Sequence, residues 1–264
     1  MTACLTIHNA AKPVPASGGH RSAQGGFTLL ELLVGMFIGL IITGVALGTL
    51  MLTRATSSTI SEVAQLQQQA AYALQIMGNH IRQTGSYELQ PALNSTTAFT
   101  FTDYPTGFTR FGGSNGTGSK PDTFTIGTQT PIAGVRDCKG AEVTATAYTT
   151  IFSLTKADGN LRCNSSVKNE AQAIIENVTD FQVWYRNYEI DAVGNYSFQR
   201  QEAPRPLTAT RGVAAIEICL ELTGSEKLPK TDTKYTNCQG EEKEIGENLR
   251  RVFRNVYSVR VTAF

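Results

Sequence analysis

The stretch GGFTLLELLVGMFIGL, residues 25–40, opens a run from Phe27 to Thr53 that holds one ionisable side chain, Glu31. The run exceeds the roughly 20 apolar residues that a membrane-spanning helix needs. A carboxylate at the centre of such a helix costs about 2.5–3.5 kcal/mol on insertion scales. Glu31 stands near the start of the run, a few residues after a Gly-Gly pair, and both features need a reason.

The chain has 264 residues with 41% hydrophobic and 17% charged side chains, which suffices for one folded domain plus extra elements. Its net charge of +1 gives no bulk field for nucleic acid. The charge is uneven, because residues 1–26 carry Lys12 and Arg21 and no acid. Residues 1–26 are polar and the apolar run follows them, the reverse of a secretory signal whose apolar part precedes the cut. A cut at the glycines therefore leaves the apolar helix on the mature chain. Positive charge before the run, and none after it until Arg54, keeps its start cytoplasmic and sends the bulk of the chain to the other side.

GGFTLLELLVGM resembles the cleavage motif of type IV prepilins: a glycine, Phe-Thr-Leu-x-Glu, then an apolar helix. The resemblance implies that a prepilin peptidase cuts between Gly26 and Phe27 on the cytoplasmic side and methylates the new amine of Phe27. Glu31 is then the fifth mature residue, the place at which prepilins carry glutamate. Its carboxylate is available to pair with the Phe27 ammonium of a neighbouring subunit, and removing one partner of a desolvated pair costs about 3–5 kcal/mol. The plainer alternative is a glutamate that snorkels to the lipid interface. Gly35, Gly39, Gly44 and Gly48 form two small-xxx-small patterns suited to close helix contact, though glycine is also ordinary in such helices.

From Thr53 the chain is rich in Gln and Ala, and Ile60, Val63, Leu66, Ala70, Leu74, Met77 and Ile81 recur at three- and four-residue steps. This predicts an amphipathic helix ending near Gly85. A helix over 27–84 would be roughly 87 Å long at about 1.5 Å per residue. After QPALNS the segments become short, Thr-rich and β-branched. Candidate strands are 97–102, 123–127, 142–154, 173–178, 181–188, 213–222 and 251–262. AIEICLEL alternates Ile216, Ile218, Leu220 and Leu222 with Glu217, Cys219 and Glu221, the pattern of a strand with one buried face. FGGSNGTGSKPD (111–122) is expected to be a polar surface loop, and EIDAVGNYSF and QEAPRPLTATRG further loops. The organisation expected is therefore a leader (1–26), a transmembrane half-helix (27–53), an amphipathic half-helix (54–88) and a β-rich head (89–264). The fold class is α+β, a long N-terminal helix packed on an antiparallel head.

Four cysteines follow the leader: Cys138, Cys163, Cys219 and Cys238. An even number in an exported domain suggests disulfides, with three pairings open. The local pairing, Cys138–Cys163 and Cys219–Cys238, is favoured because each pair brackets one plausible turn, KADGNL and LTGSEKLPKTDTKYTN.

Catalytic signatures are thin. His80 is the one histidine after residue 26 and sits on the amphipathic helix, so a Ser-His-Asp relay or His-rich zinc site is hard to build. The cysteines lack C-x-x-C spacing, no nucleotide-binding G-x-x-x-x-G-K-[ST] loop occurs, and DAVGNYSF lacks the alternating acids of a calcium loop. No enzyme, cofactor, metal or nucleotide is expected. Arg250, Arg251 and Arg254 suggest DNA contact at first sight, but strand alternation splits them between faces, and an ion-paired or solvated face is favoured.

PDTFTI, the Cys138…Cys163 segment, IIENVTDFQVWYR, VAAIEICLEL and LRRVFRNVYSVRV are similar, in that order, to one branch of the minor pilins, the PilW-like group. The chain departs from that pattern in ending VTAF. The resemblance implies a minor structural subunit that takes part in priming type IV pilus assembly, with its place in the filament, tip or shaft, left open and the tip preferred. Its partners would be the prepilin peptidase, the inner membrane, other minor pilins and the major pilin, with the head in the periplasm of a Gram-negative bacterium. The alternatives are a pseudopilin of a type II secretion or DNA-uptake system, and a tip adhesin or DNA-binding module.

Overall fold

A computed structural model describes residues 26–84, 89–91, 99–101, 109–116, 120–129 and 134–259. Most of the expected leader, the expected helix stop at Gly85 and the terminal VTAF lie outside the described residues. Contacts divide the chain into two compact units, one up to Arg54 and one from Ala55 to Phe264.

Helix α1 (Leu29–Gln83) is a single helix of 55 residues. In the first unit its apolar side chains from Leu29 to Leu52 are all exposed. The hydroxyls of Thr43, Thr49 and Thr53 donate to carbonyls three or four residues back, which satisfies them without leaving the helix. In the second unit the stripe turns inward. Leu66, Ala70, Leu74, Met77 and Ile81 are buried together with Ala73, whereas Ile60 remains 64% exposed, so burial begins later than the periodicity suggests. Gly78 lies where the helix meets the head most closely: a Cβ there would stand 2.3 Å from the Tyr257 ring. The Tyr257 hydroxyl donates to the carbonyl of Leu74 at 2.6 Å.

The head has two main antiparallel sheets. The first is a meander of β3 (Phe111–Gly112), β4 (Thr123–Gln129), β5 (Ala147–Thr155), β6 (Asn160–Ser165) and β7 (Lys168–Ile175). The second has the order β11-β10-β8-β9, from β8 (Val178–Ile190), β9 (Tyr196–Gln201), β10 (Arg211–Thr236) and β11 (Glu242–Ser258). A short pair, β1 (Leu89–Pro91) with β2 (Phe99–Phe101), precedes them. Met77 and Ile81 of α1, Phe124 and Phe152 of the first sheet, and Phe181, Ile216 and Ile218 of the second share one core. Asp122 ties the sheets together: its carboxylate accepts the N–H of Gly116 at 2.8 Å and of Val183 at 2.7 Å. The open edge of β7 is guarded by Lys139, whose ammonium donates to the carbonyls of Lys168 and Glu170.

Three expectations change. First, LTGSEKLPKTDTKYTN is not a turn: β10 runs through it to Thr236, and the turn is at 237–241. Between Thr223↔Arg250 and Lys234↔Glu244, β10 uses eleven steps where β11 uses six, in a series of register shifts. Such surplus residues bend a two-stranded ribbon, and the hairpin folds back until Cys238 reaches Cys219. Second, the outer face of AIEICLEL is therefore covered as well: Glu217, Cys219 and Glu221 are all at most 5% exposed. Third, the glycine-rich loop does pack, because a Cβ on Gly113 or Gly116 would collide with the backbone of Thr123 or Lys120. The structure adds β1, β3, β6 and β9, and β9 forms from what read as loop because Asp191 closes a tight hairpin, accepting the N–H groups of Val193 and Asn195.

Candidate functional site

Gly26, Phe27 and Thr28 precede the helix in non-helical backbone, and Phe27 is 83% exposed. Thr28 is the helix cap: its hydroxyl accepts the N–H of Glu31 at 3.3 Å, and its carbonyl accepts the first helical N–H, from Leu32 at 3.2 Å. Thr-Leu-Leu-Glu has the spacing of a capping box. Neither bond uses a residue before Phe27, so the helix start does not depend on residues 1–26. The Glu31 carboxylate lies exposed in the first turn, where the partial positive charge of the helix end favours an anion. Among the described residues α1 is the one helix long and apolar enough to cross a membrane. Space is open around the α-carbons of Gly35, Gly39, Gly44 and Gly48. At about 100° per residue the first pair and the second pair fall on nearly opposite flanks.

The disulfides sit in the head. Cys138 is bonded to Cys163 and Cys219 to Cys238, with Cα separations of 6.4 and 5.7 Å. The second bond lies in a small cluster with Trp184 and Val252 on the outer face of the second sheet. There Glu217 is held by Arg186, Arg200 and Arg254 at 3.4, 3.1 and 3.2 Å. Burial pushes the Glu217 carboxyl up, but the three guanidinium groups outweigh it and hold the group below its ordinary value. Arg200 stacks over the Trp184 ring at 3.9 Å. Glu221 accepts from Tyr235 at 2.7 Å and Arg250 at 2.9 Å, and burial followed by Glu221 pushes the Tyr235 phenol up to about 12. Gln239 of the turn donates to Asp180 at 2.7 Å, and Arg254 donates to the Cys238 carbonyl at 3.1 Å. Arg250 and Arg254 are therefore ion-paired within the head.

His80 is a packing residue, 5% exposed, beside Tyr148 and Phe152. Burial lowers its pKa to about 4, against a weaker upward pull from Asp137. Glu62, also buried, accepts the Ser225 N–H from β10. Among the described residues no group of three or more His, Cys, Asp or Glu is placed to hold a metal ion. Trp184, Glu217 and Glu62 escaped the sequence because their partners lie on other elements. Gly78 left a signal, an unexplained glycine within the last turns of a helix.

Residues 21–47 match the prokaryotic N-terminal methylation motif. Among solved structures, a type IV-like pilin from Thermus thermophilus superposes with a TM-score of 0.44 at 12% identity, over 74% of this chain and 97% of that one. A chain of the GspK-GspI-GspJ complex from the type 2 secretion system of enterotoxigenic Escherichia coli superposes with a TM-score of 0.33 at 12% identity, over 73% of this chain and 96% of that one. No curated protein matches the chain in sequence. What stands is a prepilin-type N-terminus that leads into one long helix, packed on an antiparallel β-rich domain.

Proposed function

We propose that the protein is a minor pilin, a structural subunit that takes part in type IV pilus assembly. The observation that carries this reading is the helix start: an exposed Gly26–Phe27 bond outside the helix, a Thr28 cap independent of the leader, and Glu31 as the sole ionisable group between Phe27 and Arg54. In this reading a prepilin peptidase cuts at Gly26, Phe27 becomes the methylated N-terminus, and Glu31 meets the Phe27 ammonium of a neighbouring pilin. Residues 27–53 anchor the subunit in the inner membrane of a Gram-negative cell, and the head stands in the periplasm until assembly. The two glycine pairs, on opposite flanks of the helix, favour contact with more than one neighbouring helix. The head then works by shape and contact rather than by catalysis. Mass spectrometry of the chain recovered from sheared pili tests this. An N-methylated Phe27 terminus is expected, and an intact leader on filament-borne protein would refute it. Recovery of the processed chain only with a secretion complex, never with pili, would move it to the pseudopilins.

A further inference from the structure

The folded-back hairpin encloses a cleft of about 760 Å³ on the outer face of the second sheet. Its floor is β8 and β10 and its roof is the 237–241 turn; Asn115 of the glycine-rich loop and Glu202 after β9, hydrogen-bonded to each other, also line it. The volume falls within the range of about 300–1,000 Å³ usual for small-molecule sites. The lining does not suit an ordinary lipophilic ligand, for which apolar walls are the rule. Apart from Gly116, every lining side chain carries a hydrogen-bonding group. Four carboxylates there face four cationic side chains, so the cleft has no net charge with which to hold a polyanion.

The polar groups are fixed in place. Asp180 accepts from Gln182 and Gln239, Glu221 is held by Tyr235 and Arg250, and Asn115 donates to Glu202. The Cys219–Cys238 bond pins the roof to the floor. A rigid, neutral array of carboxylates, carboxamides and guanidinium groups, with an indole in the wall, matches a ligand that is uncharged and dense in hydroxyls. Each such hydroxyl both donates and accepts, as the mixed lining requires. Preorganisation lowers the ordering cost that weakens polar recognition in water.

From this geometry we infer that the cleft between the 237–241 turn and the outer face of β8 and β10 binds a neutral saccharide. The inference rests on the cleft and not on the helix start, so its failure leaves the assembly role untouched.

Trp184 is the only tryptophan in the chain and lines the cleft, so its emission reports occupancy directly. The full processed chain, in detergent micelles, is titrated with a panel of neutral oligosaccharides built from glucose, galactose and N-acetylglucosamine. The expected result is a saturable change in Trp184 emission with at least one of them, unaltered by added salt. Glu202→Ala in the lining should weaken that binding about tenfold, while Glu142→Gln, away from the cleft, should not. Non-reducing peptide mapping confirms that each variant keeps its disulfides. Absence of a saturable response to every oligosaccharide overturns the inference. So does a response confined to dextran sulfate or duplex DNA and lost in salt, or binding that Glu202→Ala leaves unchanged.

Discussion

Glu31 is one carboxylate with two physical opportunities. In the isolated chain it sits in the first turn of α1, beside the Thr28 cap and the positive end of the helix dipole. That local benefit, about 0.3–1 kcal/mol, is smaller than the cost of a charge in lipid, so it does not by itself account for the residue. The pairing proposed above, with a neighbour's ammonium, would. Glu31→Leu is therefore expected to leave cleavage and membrane level near normal while recruitment of partner pilins and the yield of sheared pili fall. Glu31→Asp, shorter by one methylene, should be intermediate. Wild-type piliation in Glu31→Leu would leave only the snorkelling role. Gly78 presents a simpler case. Alanine normally gains about 1 kcal/mol over glycine within a helix, but here the added methyl meets the Tyr257 ring. Gly78→Ala should instead destabilise the head by about 1–3 kcal/mol, read as a lower denaturation midpoint. His80 gives the head a pH dependence. Its folded pKa of about 4 lies below the ordinary 6.5, so between these values the unfolded chain binds more protons. Stability is complete above about pH 6.5 and falls by about 3 kcal/mol as pH drops to 4. His80→Leu should flatten that part of the melting curve against pH.

The bent hairpin shows why one element can escape a sequence reading that finds its neighbours. Ile216, Ile218, Leu220 and Leu222 announce their buried face by alternation, since water and core impose opposite demands on successive side chains. The 223–236 arm alternates nothing apolar; it is a strand because β11 pairs with it, and pairing between distant segments leaves no local pattern. The same holds for β9, which needs only β8 and a turn closed by Asp191. By contrast the long helix was legible, because apolar periodicity is a local rule; its cap follows an equally local rule, the Thr-x-x-Glu spacing, that went unread. The candidate site divides in the same way: Gly26, Phe27 and Glu31 lie within six residues, whereas Glu217, Trp184 and Arg254 meet only through the sheet. The Cys219–Cys238 bond then becomes the element's keystone. Closing a loop of this length is worth on the order of 3 kcal/mol. Cys219→Ser with Cys238→Ser should lower stability by that order and free the turn from the sheet. Trp184, 8% exposed and the sole indole, should then become accessible to an aqueous quencher. Unchanged quenching would show that Tyr235, Gln239 and Arg254 hold the turn without the disulfide.

At the scale of the molecule the two units have opposite requirements. The first, up to Arg54, buries none of its apolar side chains within the chain, from Leu29 at 79% exposed to Leu52 at 72%. Lipid or other helices must cover it, and the open space at Gly35, Gly39, Gly44 and Gly48 suits a close-packed neighbour. The second unit needs no such cover. Every buried member of its core, from Leu66 to Val259, lies after Ala55, as do both disulfides and the Glu62 contact with Ser225. A chain beginning at Ala55 is therefore expected to remain soluble without detergent and to form both disulfides. It should melt cooperatively within a few degrees of the full processed chain in micelles, since losing no core contact leaves no reason for a shift larger than about 1 kcal/mol. The new helix end costs little, because Thr56, Ser57 and Ile60 are exposed and Val63 only edges the core. The same fragment should fail to enter pili, having neither the Phe27 amine nor the Glu31 carboxylate. Aggregation, or a melt broadened and shifted well below that of the full chain, would mean that the first unit supports the head. The helix would then be a part of the fold rather than an anchor joined to it.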